Sequence, residues 1–453
     1  MKILVAGAGK VGKAIASELS EEGHDITIID SNPKVLEEAI SRYDVIGVTG
    51  NSASKDVLEE ANIKEMDIFI AATSADEVNM LGAITAHSLN DNLHTIARIR
   101  NPEYGRQAYD MRDIFSLSLV VNPERQAAME IARLLKYPGF LKRETFAKAR
   151  VEIVELKVLE DSILNNVQLT NLQTKVNAKV LVCAVVRDGQ AYIPSGNFTL
   201  QKGDRIYVTG EPQELHVMLK NIGVITMPVK HAIITGGGRI TYYLAQELHR
   251  SNIDTSIIEV DEEICKKLAE QLPFATIING DASDKAVLEG EEIEEYDAFV
   301  SLTGMDELNI VTSLYAHTSG VPQVVTKLGR GEDPHLVENM PIGSIVCPKE
   351  LCTMHIVRYV RAIQDSKGAA LTIHRIADGE VEAIEFEVDE STKHINEPLK
   401  NINIKENVLV VSIRHGVKVD IPSGDSTFDI GDTVIVVGVK DAAIHTLNDI
   451  FEV

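Results

Sequence analysis

Short apolar runs alternate with amphipathic stretches over the first 120 residues of the chain. The runs predict five strands, at residues 2–6, 25–30, 44–49, 68–72 and 94–98. The stretches between them carry apolar residues at helical spacing, and we expect Asn32 to cap a helix that has Pro33 at its first position. Strands that alternate with helices predict a parallel sheet covered by helices on both faces.

Residues 151–220 have a different pattern. Residues 151–158 alternate with period two, which predicts a strand buried on one face. Residues 180–186 form a continuous apolar run, and Arg187-Asp188-Gly189 behind it is a hairpin signal. This part of the chain predicts a small α+β domain, preceded by a longer helix over residues 122–135.

The second half of the chain repeats the first. Ser256-Ile257-Ile258-Glu259 matches Thr27-Ile28-Ile29-Asp30, and Ile421-Pro422-Ser423-Gly424 matches Ile193-Pro194-Ser195-Gly196, at an offset of about 228–230 residues. The predicted fold is therefore α/β, with two Rossmann-like doubly wound parallel-sheet domains, each followed by a small α+β domain. The predicted boundaries are 1–120, 121–227 (a crossover helix plus the first small domain), 228–345 and 346–453 (a second crossover helix and small domain).

The composition narrows the class of partner. A hydrophobic content of 44% and a charged content of 25% are those of a globular protein, and no run approaches the roughly 20 apolar residues of a membrane helix. The net charge of −24 argues against nucleic acid and against an anionic membrane surface as partners. It does not exclude a membrane protein that presents a basic patch as the partner. Four cysteines without a CxxC pair are expected to be buried hydrophobes in a reducing cytosol.

The first strand leads directly into a glycine-rich turn, Gly7-Ala8-Gly9-Lys10-Val11-Gly12. In a Rossmann unit the first glycine permits the tight turn, the second lets a pyrophosphate approach the backbone, and the third allows close helix–strand packing. Asp30 ends the second strand, where a carboxylate accepts hydrogen bonds from the two ribose hydroxyls and would repel the 2′-phosphate of NADP. These residues predict a nucleotide site.

Further candidates for this site lie at the ends of the next three strands. Asn51 follows the third strand, where its side chain could reach an adenine edge. Thr73 and Ser74 follow the fourth strand and would lie beside the phosphates. Arg98 and Arg100 follow the fifth strand, at the edge of the sheet where ligands bind. A glycine turn that serves packing alone is the alternative interpretation.

The turn returns in the second repeat as Gly236-Gly237-Gly238-Arg239-Ile240-Thr241. Thr241 replaces the third glycine, which we expect to loosen or shift the contact between helix and strand. The acidic residue for the ribose is kept as Glu259, Asp281 stands where Asn51 stands, and Thr303 corresponds to Thr73. The rough counterparts of Arg98 and Arg100 are Lys327 and Arg330. A site that binds weakly, or that prefers a different nucleotide, is the alternative to an equivalent second site.

Two sets of polar residues have more than one interpretation. Lys10 and Arg239 lie inside the two turns, where each could reach phosphate oxygens or remain a solvated side chain at the start of a helix. Asp76, Glu77 and Asn79 could cap a helix or form an interface, and we predict the cap and the favourable helix dipole.

The doubled turns with Asp30 and Glu259, the repeated Asp-Glu-x-Asn segments and the two small modules resemble the family of RCK domains (regulators of potassium conductance). The tandem order over the whole chain resembles the TrkA-type peripheral subunits of Trk potassium uptake systems. The resemblance implies a homo-oligomer, expected to be a tetramer, that docks on the cytoplasmic face of a membrane potassium transporter and gates it in response to NAD(H), ATP or ADP. It also implies that Gly7, Gly9, Gly12 and Asp30 hold the nucleotide, and that the helices at 122–135 and 348–361 are crossover and dimerisation elements.

An NAD-dependent oxidoreductase is the main alternative function. Such an enzyme needs a proton donor or acceptor, commonly His or Lys, beside the nicotinamide. The sequence contains no nucleophile elbow, no HExxH motif and no P-loop with Lys followed by Ser or Thr. Two nucleotide sites on one chain favour a regulator, so we predict no enzymatic activity. A nucleotide-responsive regulator of another cation exporter or antiporter shares every one of these sequence features.

Overall fold

The computed structural model describes residues 1–136, 142–146, 151–223, 229–329, 340–364, 370–416, 418–442 and 444–452. The chain divides into two compact units. Met1–Leu135 and Val229–Val360 form the first, and Lys136–Pro228 and Arg361–Val453 form the second. None of the described helices is both long enough and apolar enough to cross a membrane. The boundaries of four separate domains are a finer division and stay a prediction.

The first unit contains two six-stranded sheets whose paired strands are all parallel. Their orders are β3-β2-β1-β4-β5-β6 and β14-β13-β12-β15-β16-β17, so the direction in which successive strands are added to the sheet switches between β1 and β4 and between β12 and β15. The strands are β1 Lys2–Ala6, β2 Asp25–Asp30, β3 Ile46–Thr49, β4 Ile68–Ala71, β5 His94–Arg98, β6 Leu119–Val121, β12 His231–Thr235, β13 Asp254–Glu259, β14 Thr276–Asn279, β15 Ala298–Ser301, β16 Gln323–Lys327 and β17 Ser344–Val346. Both predicted Rossmann-like sheets are confirmed.

Helices connect these strands. They are α1 Lys10–Glu21, α2 Pro33–Arg42, α3 Lys55–Glu60, α4 Asp76–Leu89, α5 Pro102–Asp110, α6 Pro123–Lys136, α9 Arg239–Arg250, α10 Glu262–Gln271, α11 Lys285–Gly290, α12 Asp306–Thr318 and α13 Pro348–Gln364. Asn32 caps α2 as predicted, since its side chain accepts a hydrogen bond from the Lys34 N–H. Both predicted crossover helices are present, as α6 and α13.

Helix α6 packs on the sheet of the second repeat. Its Ile131, Leu134 and Leu135 belong to one buried cluster with Ile234 and Leu244, which lie on β12 and α9. The Gln323 side chain donates a hydrogen bond to the Leu134 carbonyl oxygen (2.8 Å). The two repeats of the first unit are therefore interlocked, because a helix encoded in one completes the core of the other.

The second unit contains two five-stranded antiparallel sheets, ordered β10-β9-β11-β8-β7 and β18-β19-β22-β20-β21. The strands are β7 Lys142–Phe146, β8 Val151–Lys157, β9 Val180–Arg187, β10 Gln190–Tyr192, β11 Arg205–Gly210, β18 Ala370–Ile376, β19 Val381–Glu387, β20 Val408–His415, β21 Lys418–Asp420 and β22 Thr433–Val439. Two helices, α7 Leu172–Val176 and α8 Pro212–Asn221, accompany the first sheet. Short 3₁₀ turns lie at Ile63–Glu65, Leu169–Asn171, Ile293–Glu295, Ala377–Gly379, Leu399–Asn401, Lys440–Ala442 and Leu447–Ile450.

The two small modules share a core, and this corrects one prediction about β8. Val151 and Ile153 pack with Val411 and Val437 of the second module, whereas Val154 and Leu156 face the first module's own core. Strand β8 is thus buried on both faces rather than one, because the first module's core covers one face and the second module covers the other. The predicted hairpin after β9 is confirmed, with Asp188 and Gly189 both at positive φ.

Candidate functional site

The first glycine turn is held by close backbone contacts. Gly7 has a φ of +100°, and its N–H donates to the Ile29 carbonyl oxygen (2.7 Å). A Cβ atom on Gly12 would lie 1.8 Å from the Gly7 oxygen, so a side chain cannot be placed there without moving the turn. A Cβ on Gly9 would meet no heavy atom within 4 Å. The three glycines therefore serve the turn, the open face and the helix–strand contact, in the order 7, 9 and 12.

The Asp30 carboxylate fixes this turn. One oxygen accepts the Ala8 N–H (2.6 Å) and the other accepts the Asn32 N–H (2.8 Å). Each carboxylate oxygen has a second lone pair, so the group can still accept hydrogen bonds from ribose hydroxyls. The sequence predicted only the contact with ribose, and the structure adds that Asp30 positions the backbone of the turn itself.

A cavity of about 810 Å³ opens along the carboxyl edge of the first sheet. The predicted residues that line it are Gly7, Gly9, Lys10, Val11, Asp30, Asn51, Thr73, Ser74 and Arg98. Ala8 and Gly12 are buried and shape the turn from behind. Lys10, exposed, is the first residue of α1, and the helix has no side-chain cap at Gly9. The amides of its first turn are thus available to an anion.

The second repeat completes this cavity. Ile240, Lys327, Gly329, Pro348 and Lys349 line it from the opposite side, together with Arg100, Pro123 and Glu124 of the first repeat. Among these, the contributions of Glu124, Pro348 and Lys349 were missed from the sequence. The available signal was that both crossover helices begin with a proline followed by a charged residue, directly after a strand end.

Three of the five basic residues that line the cavity are held by main-chain carbonyls or by a carboxylate. Arg98 Nη2 donates to the Thr73 oxygen (2.6 Å), and Lys327 Nζ donates to the Thr303 oxygen (2.5 Å). Removal from water lowers the pKa of both Arg98 and Lys327. Arg100 instead forms a 2.5 Å ion pair with the largely buried Glu124. The cavity therefore contains cations whose charge is only partly balanced.

Two buried asparagines organise the strand ends. Asn79 Oδ1 accepts the Thr73 N–H (2.9 Å) and hydroxyl (2.7 Å), and its Nδ2 donates to the Arg98 oxygen (2.8 Å). Asn309 repeats these contacts with Thr303 and Lys327. Each asparagine joins the ends of two neighbouring strands.

The predicted capping role of Asp76 is wrong. Ala75 is the N-cap of α4, and Asp76, one residue later, accepts the N–H groups of Arg100 (2.9 Å) and Asn101 (2.7 Å). The acid still lies in the first turn of the helix, where it favours the dipole. Its main contact is with the loop behind β5.

The second turn has the same backbone scheme with a different third residue. Gly236 has a φ of +94°, and the Glu259 carboxylate accepts the N–H groups of Gly237 (2.5 Å) and Asp261 (2.9 Å). Thr241 is fully buried, and its hydroxyl donates to the Gly236 oxygen (2.5 Å). The expected loosening does not occur, because the hydroxyl ties the helix to the turn.

The predicted residues of the second site do not share one cavity, since Ile240 lines the cavity of the first site and two others line a separate cleft. Gly238 and Arg239 line a smaller cleft of about 480 Å³ with residues 101–103 of the first repeat, and neither Glu259, Asp281 nor Thr303 lines it. Asp281 accepts the Ser283 N–H, which lowers its pKa. Asn51 accepts the Ala53 N–H in the corresponding turn of the first repeat. Arg330 lies outside the described residues.

Comparison with known proteins gives a family for both halves of the chain. The TrkA-N domain matches residues 3–123 and 232–348, and the TrkA-C domain matches residues 153–223 and 383–451. The chain belongs to the TrkA family. The two TrkA-N segments coincide with the two parallel sheets, and the two TrkA-C segments lie in the antiparallel unit.

Relatives and solved structures resemble the TrkA chain over its full length. The Trk system potassium uptake protein TrkA homolog of Archaeoglobus fulgidus is 29% identical, with 100% of both chains covered. TrkA of Halomonas elongata is 28% identical, with 100% of this chain and 99% of that protein covered.

Two solved structures show the same fold. The GsuK RCK domain has a TM-score of 0.62 at 16% identity, covering 97% of this chain and 92% of that one. The GsuK channel bound to NAD has a TM-score of 0.60 at 15% identity, covering 97% and 77%. The predicted architecture of tandem RCK-type units is confirmed.

Proposed function

We propose that this chain is a cytosolic regulatory subunit that binds an adenine nucleotide at the first glycine turn and gates a membrane potassium transporter as part of an oligomeric ring. The observation that carries this proposal is the cavity at Gly7–Gly12. An uncapped helix start, an acid at the end of β2 and basic residues converge there in a chain with tandem TrkA-N and TrkA-C domains. NAD(H), ATP and ADP are the candidate ligands, and the GsuK channel, a structural neighbour, has been solved bound to NAD.

The two repeats are proposed to form unequal sites. In the first, Asn51 can both donate and accept hydrogen bonds, as an adenine edge requires. In the second, Asp281 is acceptor-only, and together with Glu259 it places two carboxylates near the second turn. This arrangement supports weaker binding, or a different ligand, at the second site. Lys10 and Arg239 remain candidates for phosphate contacts.

Exposed apolar side chains at matching positions support assembly into a homo-oligomer, with a tetramer as the expected size. Leu81 on α4 is 54% exposed and Val311, its counterpart on α12, is 61% exposed. Ile84 extends the patch one turn further along α4. Exposed apolar patches on helices mark association surfaces. Because both repeats carry the patch, a second copy is the occupant proposed here.

A regulator is favoured over an oxidoreductase by the contents of the cavity. The described lining residues come from both repeats and include no histidine, which with lysine is a common proton donor beside a nicotinamide. A ligand shifts a conformational equilibrium only through different affinities for the two states. A cavity built from both repeats meets this requirement, since its shape depends on how the repeats are placed.

Calorimetric titration of NADH, NAD, ATP and ADP into the wild-type chain tests the proposal. At least one of the four should bind, and Asp30→Asn should weaken binding because one carboxylate oxygen becomes an amide donor. Glu259→Gln is the matched control, which makes the same change at the second turn. Failure of all four nucleotides to bind would refute the site.

Function is tested by potassium uptake in membrane vesicles that contain the partner transporter. Addition of the wild-type chain should make uptake depend on the nucleotide, and the Asp30→Asn variant should lose this dependence. Steady hydride transfer from NADH to a small substrate would instead support an enzyme. Control of the flux of a different cation would support the alternative regulator.

A further inference from the structure

The cavity at the first glycine turn has two chemically different ends. The ribose and adenine end lies beside β2 and β3, where Asp30 and Asn51 stand. The opposite end lies beyond β4 and β5, where a dinucleotide would place its second nucleoside. In this chain the opposite end is basic, with Arg98 and Arg100 from the first repeat and Lys327 and Lys349 from the second.

Basic side chains outnumber the carboxylates that line this cavity. Five basic and two acidic residues line the whole cavity, in a chain of net charge −24. Of the two acids, Asp30 accepts backbone N–H groups at the other end, and Glu124 is paired with Arg100. The described side chains thus leave three of the four cations at this end without an ion-pair partner.

Those three cations are Arg98, Lys327 and Lys349. The first two donate to carbonyl oxygens, which fix the side chains but carry no net charge. Carboxylates attract both side chains from beyond ion-pair distance. Asp306 and Glu124 attract Lys327, and Glu124 and Asp76 attract Arg98. Lys349 is the second residue of the 17-residue helix α13, whose N-terminal dipole also favours an anion.

We propose that this end of the cavity is a phosphate subsite shared between the two repeats, and that Lys349 determines its specificity for a phosphate group. The inference rests on the proposed nucleotide site and names the ligand class that it prefers. A nucleoside triphosphate places its terminal phosphate among these cations, whereas NAD⁺ brings a positively charged nicotinamide to them. The first site therefore prefers ATP to NAD⁺.

The preference follows from the charges involved. A phosphate accepts charge-assisted hydrogen bonds from lysine and arginine, which are roughly twice as strong as neutral ones. Lys349 is only partly buried, so solvent reduces its contribution. We expect loss of the Lys349 charge to weaken ATP binding about tenfold, while AMP, which has no terminal phosphate to reach this end, is unaffected.

The test is calorimetric titration of ATP and AMP into the wild-type chain, Lys349→Gln and Lys349→Arg. Lys349→Gln should lose about tenfold in ATP affinity and keep its AMP affinity, and Lys349→Arg should retain most of both. Lys285→Gln is the matched control, since Lys285 lies in the same unit but does not line the cavity. Melting curves of all variants establish that the fold is unchanged.

The outcomes separate this inference from the proposed function. If the wild-type chain binds neither ATP nor AMP, the nucleotide site itself is refuted. If the wild-type chain binds ATP but Lys349→Gln loses nothing, or loses ATP and AMP affinity equally, the phosphate subsite is refuted. NAD⁺ binding as tight as ATP binding would also refute it.

A further arm identifies the source of the phosphate. Millimolar inorganic phosphate should enhance AMP binding to the wild-type chain, and not to Lys349→Gln, if the subsite also accepts free phosphate. If phosphate has no effect while Lys349→Gln still loses ATP selectively, the subsite accepts only the terminal phosphate of a nucleotide. Either result supports a phosphate subsite.

Discussion

Gly9 and Gly12 have opposite surroundings within one turn, so substitution by alanine separates folding from binding. A Cβ on Gly12 would lie 1.8 Å from the Gly7 oxygen, and a Cβ on Gly9 would meet no heavy atom within 4 Å. Gly9 also has an ordinary extended backbone, with φ −71° and ψ −175°. Gly12→Ala therefore disturbs the protein, whereas Gly9→Ala changes only the surface that faces a ligand.

The expected magnitudes follow from these distances. Carbon and oxygen atoms normally approach to about 3.3 Å, so the new Cβ atom of Gly12→Ala would lie roughly 1.5 Å too close to the Gly7 oxygen. The obstacle is backbone, and overpacking of this kind costs about 1–3 kcal/mol or more, so we expect a loss near 3 kcal/mol. For Gly9→Ala, alanine is a poorer N-cap than glycine, which lowers the free energy of unfolding by a few tenths of a kcal/mol to about 1 kcal/mol. Alanine also restricts the unfolded chain, which raises the free energy of unfolding by a similar amount, so the two effects nearly cancel.

Gly9→Ala should nevertheless weaken nucleotide binding at least about tenfold, because a methyl group occupies the face from which a phosphate approaches the helix amides. Folding is measured by circular dichroism during chemical denaturation, since the chain has no tryptophan. Binding is measured by calorimetry with ATP. Gly238→Ala makes the corresponding change in the second turn, where a Cβ also meets nothing within 4 Å.

Two results would contradict this reasoning. A Gly12→Ala variant as stable as the wild-type chain would mean that the turn is looser than the geometry requires. A Gly9→Ala variant that folds normally and binds ATP with wild-type affinity would mean that phosphate does not approach this turn.

Three further predictions concern buried residues of the two units. Ile131→Ala should lower the free energy of unfolding by about 3 kcal/mol, because α6 completes the core of the second repeat, and Met129→Ala on its exposed face should change it by less than about 0.5 kcal/mol in the same denaturation experiment. Burial and the positive charge of Arg358 lower the pKa of His355. The free energy of unfolding should therefore fall as the pH drops below about 6.5, by at most about 1.4 kcal/mol per pH unit. Melting curves of His355→Gln between pH 7 and 5 should lack this contribution. Arg205→Met should destabilise the second unit by about 2 kcal/mol, because the buried Glu155 loses its ion pair with Arg205. Asp378→Asn, at the exposed end of the same network, should cost less than about 1 kcal/mol in urea denaturation.

The elements that the sequence predicts correctly are those whose signals are local. The glycine turns, the Asn32 cap and the hairpin after β9 each depend on a few neighbouring residues. The strands of the parallel sheets are continuous apolar runs, which identify buried strands whatever covers them. These features fix the Rossmann-like architecture without knowledge of the rest of the chain.

The features that the sequence does not predict depend on which segments of the chain pack against each other in the folded protein. The apolar stripe of α6 shows that the helix is buried, but not that it lies on the second repeat. Glu152 and Glu155 lie on opposite faces of β8, yet both acids are buried, because the first module's core covers one face and the second module covers the other. The double role of Asp30 and the Thr241 hydroxyl bond are likewise tertiary contacts between groups that sequence spacing leaves separate.

The positive charge at the inter-repeat end of the cavity depends on a sequence difference between the two repeats. Comparison of the repeats for similarity identifies the turns, the acids Asp30 and Glu259, and the basic pair Arg98 and Lys327. The crossover helices begin alike, with Pro123-Glu124 and Pro348-Lys349, but the residue after the proline reverses its charge. Because the repeats interlock, both of these residues line one cavity, where Glu124 neutralises Arg100 and Lys349 leaves its charge available. Two identical copies would have placed two acids or two lysines there, so this reversal makes the cavity asymmetric and leaves its inter-repeat end positive.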